Sequence, residues 1–183
     1  MRFFFNPRKA GQAAAYLIQA DGGKKNLMAL IKLLYLSDRA ALLESGAPIT
    51  GDRMISMPHG PVLSRIYDSA AAGWRSFDAW YDYVSERESH DVVLAHPNPE
   101  RGELSDYEIG VLEAIHQGYG HLDQWELRRL THNLPEYEDP SGSSLPIDPV
   151  TILRSAGKSN AEIEQLSSLS EEVFFLESLK ERL

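Results

Sequence analysis

Six histidines, His59, His90, His96, His116, His121 and His132, are the side chains of this sequence with the widest chemical reach. Two metal ligands on one helix face need a spacing of three or four, as in H-E-x-x-H. His116 and His121 stand five apart with two glycines between them, and His59, His90 and His96 fall in unrelated loops and strands. No spacing supports zinc, so no metal is expected and the histidines read as helix caps or solvated groups. The chain has no cysteine, which excludes disulfides, thiolate metal sites and cysteine nucleophiles. Ser64 has no G-x-S-x-G elbow around it, and no G-x-x-x-x-G-K-[ST] loop is present. Glu136 and Glu138 lie in a polar loop, where no burial is expected to raise a carboxyl pKa. The leading expectation is therefore no catalytic residue and no cofactor. An unrecognised enzymatic site around Asp38, His59 and His132 is the alternative.

The elements that would position these residues are mostly helices. Asn6-Pro7 reads as an N-cap followed by proline at the first helical position, opening a helix to about Ala20. Asn26 to Glu44 is the strongest helix: Leu27, Leu30, Ile31 and Leu34 follow the i, i+3, i+4, i+7 rule. Further leucines on its other sides mark it as central. Residues 54–58 alternate as a short strand. Gly60-Pro61 is expected to open a helix carrying Val62, Ile66 and Ala70 and ending near Gly73. Trp80–Ser85 and Asp91–Ala95 read as a hairpin that joins the 54–58 strand in one small sheet. Ser105 with Glu108, Asp123 with Glu126, and Ser159 with Glu162 are capping boxes that open further helices. Pro135–Pro149 is a long polar loop, Pro149–Leu153 a short helix, and Ser170 leads a last helix. The fold class expected is α+β, mainly α-helical: a helical bundle around a central buried helix with a small antiparallel sheet.

The 183 residues suit one domain with an appendage: a body over 1–158 and a helical extension over 159–183 packed on it. Hydrophobic residues make up 43% and charged residues 25%, a globular balance that excludes a disordered tail or a fibre. No apolar run is long enough to span a bilayer, and MRFFFNPRKAG is broken too early for a secretory segment, so a cytoplasmic protein with no membrane partner is expected. The net charge is −9, divided as +5 over residues 1–75 (ten Lys/Arg, five Asp/Glu) and −14 over 76–183 (eight Lys/Arg, 22 Asp/Glu). The acidic total argues against nucleic-acid binding. The asymmetry either only aids solubility or steers a charged partner.

The most specific stretch runs from Lys32 to Asp68, KLLYLSDRAALLESGAPITGDRMISMPHGPVLSRIYD. It resembles the Panacea domain, also called the SocA-like or phage-associated domain (DUF4065). The matching pieces are Lys32-Leu33-Leu34-Tyr35-Leu36 with Asp38-Arg39, Gly46, Pro48-Ile49-Thr50-Gly51-Asp52, Gly60-Pro61-Val62 and Tyr67. Leu130-Thr131-His132, after a Tyr119-Gly120 helix stop, looks like the second signature of that family. The resemblance covers roughly residues 10–155. The chain departs from it at His59, where many relatives have an aromatic residue, and at Pro135-Glu136-Tyr137, where they often have Pro-Trp.

The resemblance implies a bacterial antitoxin that binds a cognate toxin protein, encoded by the adjacent gene, and blocks it without catalysis. It also implies an alternative, a regulatory adaptor that delivers the bound partner to a protease. On the residues themselves, Gly51-Asp52 and Gly60-Pro61 bracket a short strand. A helix start at Pro61 would offer free N–H groups to an anionic group; otherwise the segment is only a fold-forming turn. Asp38 reads as bonded to a backbone turn or to Arg53, and His132 as packed and hydrogen-bonded. Asp52, Arg53, His59, Trp74 and Tyr137 are the candidate partner-binding residues, within an interface over 47–62 and the acidic surface nearby. Leu33, Tyr35, Asp38, Gly51, Gly60, Pro61, Val62, Tyr67 and His132 are family-motif residues with structural roles. Trp80 and Trp125 are expected in the core.

Overall fold

The structure, a computed structural model, describes residues 1–71, 77–85 and 89–180. Helix α1 (Pro7–Ala20) starts where the Asn6 side chain accepts the Lys9 N–H and Pro7 takes the first turn. A three-residue strand, β1 (Lys24–Asn26), leads into α2 (Leu27–Ser45), whose first turn is capped by Asn26 through the Ala29 N–H. Helix α2 is buried along most of its length and packs against α1 and against three later helices, α4 (Asp106–Tyr119), α5 (Gln124–His132) and α6 (Pro149–Ser155). It is the central helix that its all-round apolar pattern predicts. Both capping boxes expected at α4 and α5 form, Ser105 with Glu108 and Asp123 with Glu126. The fold is mainly helical α+β, with seven α-helices among the described residues.

The sheets depart from the sequence reading. Gly60-Pro61 does not open a helix. Gly60–Leu63 is a strand, β3, paired antiparallel with β2 (Met54–Met57), and helix α3 begins only at Ser64 and ends at Ala70. Strand β3 lies at the edge of its sheet, where a proline without an N–H costs no ladder bond. On the other side of β2 lies β5 (Leu145–Pro146), contributed by the long loop before α6. Trp80 closes a 3₁₀ turn (Asp78–Trp80) instead of starting a strand, and Val84 makes only an isolated bridge to Leu94. Strand β4 (Asp91–Val93) pairs with β1, so a second two-stranded sheet replaces the single one expected. The helix end expected near Gly73 lies outside the described residues.

Helix α7 (Asn160–Lys180) is continuous. Ser170, expected to lead a separate helix, sits buried within it with its hydroxyl donating to the Ser167 carbonyl. One side of α7 packs on the body: Ile163 is buried, Leu166 lies over Gly46, and Phe174 faces Phe4 at 6.4 Å between ring centroids. Arg2 donates to Glu171 at 2.7 Å beside that contact. Leu169 and Val173 flank that side, partly exposed, and Phe175, Leu176 and Leu179 are exposed away from it. Among the described residues no helix is long and apolar enough to cross a membrane.

Candidate functional site

The family-motif residues collect into two neighbouring clusters around the β2–β3 hairpin. The first forms where the hairpin meets α2 and the end of α5. Lys32 has no exposed surface; its Nζ donates to the Pro61 carbonyl at 2.8 Å. Gly60 has φ +91°, and a Cβ there would lie 2.9 Å from His132 Cδ2, 2.9 Å from Thr131 Oγ1 and 3.0 Å from Lys32 Nζ. Only glycine meets both that backbone conformation and that closeness without strain. His132 stacks on Tyr137, with ring centroids 4.4 Å apart, and the Tyr137 hydroxyl donates to the Met57 carbonyl at 3.3 Å. Burial, and then the Arg128 charge, hold the Lys32 amine down to about 7. The same effects, with Lys32 added, lower the His132 pKa, against an opposing ring N–H bond to the His59 carbonyl. His132 Nε2 is buried with no hydrogen-bond partner among the described residues.

The second cluster organises the 47–53 turn. Asp38 on α2 is fully buried and accepts from Thr50 twice, from its N–H at 2.9 Å and its hydroxyl at 2.6 Å. Burial pushes its carboxyl up to about 7 in spite of these bonds. Arg53 is exposed and is not a partner of Asp38; the backbone turn takes that role. Gly51 has φ +70°, and a Cβ there would lie 2.1 Å from the Phe4 carbonyl oxygen. Asp52 is buried and accepts the N–H groups of Arg53, Arg65 and Ile66 at 2.7, 3.2 and 3.0 Å. The anionic group at a helix start, expected at Pro61, is therefore the chain's own Asp52 carboxylate at the start of α3.

The loop after α5 contributes a buried ion pair. Glu136 accepts Arg39 Nε at 2.6 Å and Arg39 Nη2 at 3.2 Å, and the Tyr35 hydroxyl at 3.0 Å. Its side chain is fully buried, in contrast to the solvated carboxylate expected of a polar loop. Burial first, and then the Glu136 charge, raise the Tyr35 pKa and keep the phenol neutral. Leu33 and Val62 are core residues, and Tyr67 is half-buried against the core.

The candidate partner-binding residues divide by position. His59 and Arg53 are exposed, at the hairpin tip and at its base; Tyr137 is half-buried on His132; Asp52 is turned inward; Trp74 lies outside the described residues. Trp80 is in the core as expected. Trp125 is not: it is 57% exposed on the first turn of α5. Sequence reasoning missed Glu136, Arg39 and Arg128. The signal for a buried Lys32 was present, since a charge set in a helix that is apolar on every side has no solvent face to reach.

Chemically, each of these groups is occupied within the fold. Asp38, Asp52 and Glu136 spend their oxygens on Thr50, on main-chain N–H groups and on Arg39, while Lys32 is spent on a carbonyl. Neither His59 nor His132 bonds to Asp38, so the three do not form a relay. No group of three or more His, Asp or Glu could hold a metal among the described residues.

The chain is a mainly helical α+β body whose motif residues brace a hairpin and its flanking turns. The family model of the antitoxin SocA-like, Panacea domain matches residues 30–137, more than half of the chain, and the protein belongs to that family. The matched span runs from α2 to Tyr137; α6 and α7 lie beyond it. Neither the curated proteins nor the solved structures give a match.

Proposed function

We propose that this protein is a non-catalytic antitoxin that neutralises a cognate toxin by direct binding, the toxin being encoded by the adjacent gene. Membership of the SocA-like family carries this reading. The inward use of Lys32, Asp38, Asp52 and Glu136 supports it, because it leaves the polar motif residues around the hairpin to hold shape and not to meet a substrate. The binding face is the exposed hairpin edge with Arg53, His59 and Tyr137, extended by Trp125; Trp, Tyr and Arg dominate interface energetics. Expression of the adjacent reading frame alone should arrest growth. Co-expression with this chain should restore growth, and the two should co-purify. A harmless neighbour, or arrest that persists beside this chain, sinks the assignment.

A second reading, delivery of the bound partner to a protease, is favoured by the row of exposed apolar residues on α7. In that reading residues 159–183 form a separate extension that recruits the protease. Phe175→Ser with Leu176→Ser would then stop turnover of the partner and leave its binding intact. Equal turnover with and without the pair of substitutions removes the adaptor reading and leaves direct neutralisation standing.

A further inference from the structure

Beside the hairpin tip lies a cavity of about 240 Å³ that shares His59 and Trp125 with the binding face proposed above. Its floor is apolar, from Leu27, Met28 and Ile31 at the start of α2 and Ala71 after α3. Its rim carries His59, His90, Trp125 and Arg128. Three features set it apart. Among the described residues the lining contains three basic side chains, His59, His90 and Arg128, and no carboxylate, in a chain of net charge −9. Arg128 is half-buried, yet no hydrogen bond or ion pair engages its guanidinium among the described residues, while its charge reaches Lys32 and His132 strongly enough to lower both. Trp125 leaves most of its indole in solvent at the mouth, although it sits on the first turn of a helix whose Leu127 is fully buried.

An unpaired guanidinium at a partly dry site is a strong donor to an oxyanion, which it can hold through two parallel N–H bonds. A flat indole beside an apolar floor accepts a ring or a short hydrocarbon body. The volume falls just under the ~300–1,000 Å³ usual for ligand pockets, which limits the occupant to about one ring with its substituent. From this combination we infer that the cavity binds a small aromatic or apolar oxyanion, its body between Trp125 and the α2 floor and its carboxylate or phosphate on Arg128, flanked by His59 and His90. The inference stands independently of the antitoxin reading. The same chemistry is offered by a free aryl phosphate or carboxylate and by the terminal carboxylate of another chain that ends in an aromatic residue.

Titration of the full chain, followed by the Trp125 indole N–H resonance assigned with Trp125→Phe, tests it. Phenyl phosphate represents the free ligand and N-acetylphenylalanine the chain end; N-acetylphenylalaninamide and inorganic phosphate are the controls. At least one of the two aromatic anions should shift the resonance saturably, with both controls about tenfold or more weaker, as expected for loss of a charge-assisted bond or of the apolar body. Tighter binding of phenyl phosphate assigns a free ligand, and tighter binding of N-acetylphenylalanine assigns a chain end. Arg128→Gln should weaken the preferred anion about tenfold or more with an unchanged thermal midpoint, because the guanidinium bonds to nothing that it would leave unpaired. A lack of saturable shift with either anion overturns the inference. So does an amide that binds as tightly as its acid, or undiminished binding by Arg128→Gln. The comparison of acid with amide needs no variant and decides the matter even where the substitution disturbs folding.

Discussion

Gly51 and Gly60 look alike in the sequence, each set beside a turn, and the structure separates them. At both positions φ is positive, which costs an alanine of order 1–3 kcal/mol. The surroundings then differ. A methyl on Gly60 meets side-chain atoms only, His132 Cδ2 and Thr131 Oγ1 at 2.9 Å and Lys32 Nζ at 3.0 Å, a milder overlap. A methyl on Gly51 meets the Phe4 carbonyl and the backbone on either side of it, which cannot move without shifting the segment before α1. Gly51→Ala should therefore destabilise more than Gly60→Ala, by more than about 3 kcal/mol against about 1–3, as read by urea unfolding. Equal losses would mean that the segment holding Phe4 is not seated against the turn. At Asp52, removal of the carboxylate leaves the Arg65 and Ile66 N–H groups without their acceptor. Asp52→Ala should cost about 2 kcal/mol, near the upper end of capping losses because the cap is buried.

Elements joined by short-range signals were legible in the sequence; those joined across the chain were not. Asn6, Ser105 and Asp123 each announce a helix through bonds made within three residues, and each helix begins there. The leucines of α2 announce a central helix because its burial shows in its own pattern. By contrast, β1 finds its partner β4 some 67 residues later, as in the pairing of Lys25 with Val92, and nothing local in Lys24–Asn26 encodes that. Gly60-Pro61 misled because proline suits a helix start and an edge strand equally, and only the hairpin with β2 decides between them. Glu136 was unreadable for the same reason: its partners, Tyr35 and Arg39, lie about a hundred residues earlier. The site was legible as a set of motif residues, but the partner that occupies each buried polar group is a product of tertiary packing. That ion pair also ties the loop to α2. Glu136→Ala should cost about 3 kcal/mol and open residues 135–140 to proteolysis, since it strands the Arg39 charge in a mostly buried place. On α7 the two faces should respond oppositely. Phe174→Ser loses its contacts with Phe4 and Arg2 and should lower the thermal midpoint, whereas Phe175→Ser, on the exposed face, should leave it nearly unchanged, within about ±0.5 kcal/mol.

Across the whole molecule, the buried charges couple folding to pH in two adjoining windows. The Asp38 carboxyl titrates near 7 when folded and near 3.8 when not, so between those values the folded chain keeps a proton that the unfolded chain has lost. Its contribution favours folding at low pH and is lost as pH climbs toward about 7. Lys32 works on the other side. Its amine is held to about 7 in the fold against 10.5 in the open chain, so the unfolded state holds the extra proton and stability from this group grows as pH rises above 7. The unfolding free energy of the wild type relative to Asp38→Asn should fall from pH 4 to 7, and that relative to Lys32→Met should rise from pH 7 to 10. Flat differences would show that these groups are not buried in solution. The seclusion of Lys32 has a practical consequence. With its amine closed off against the Pro61 carbonyl, it should stay unlabelled by an acylating reagent that marks surface lysines within minutes. The mass increment at that one peptide would then act as a clock for global opening, read without any dye or engineered probe.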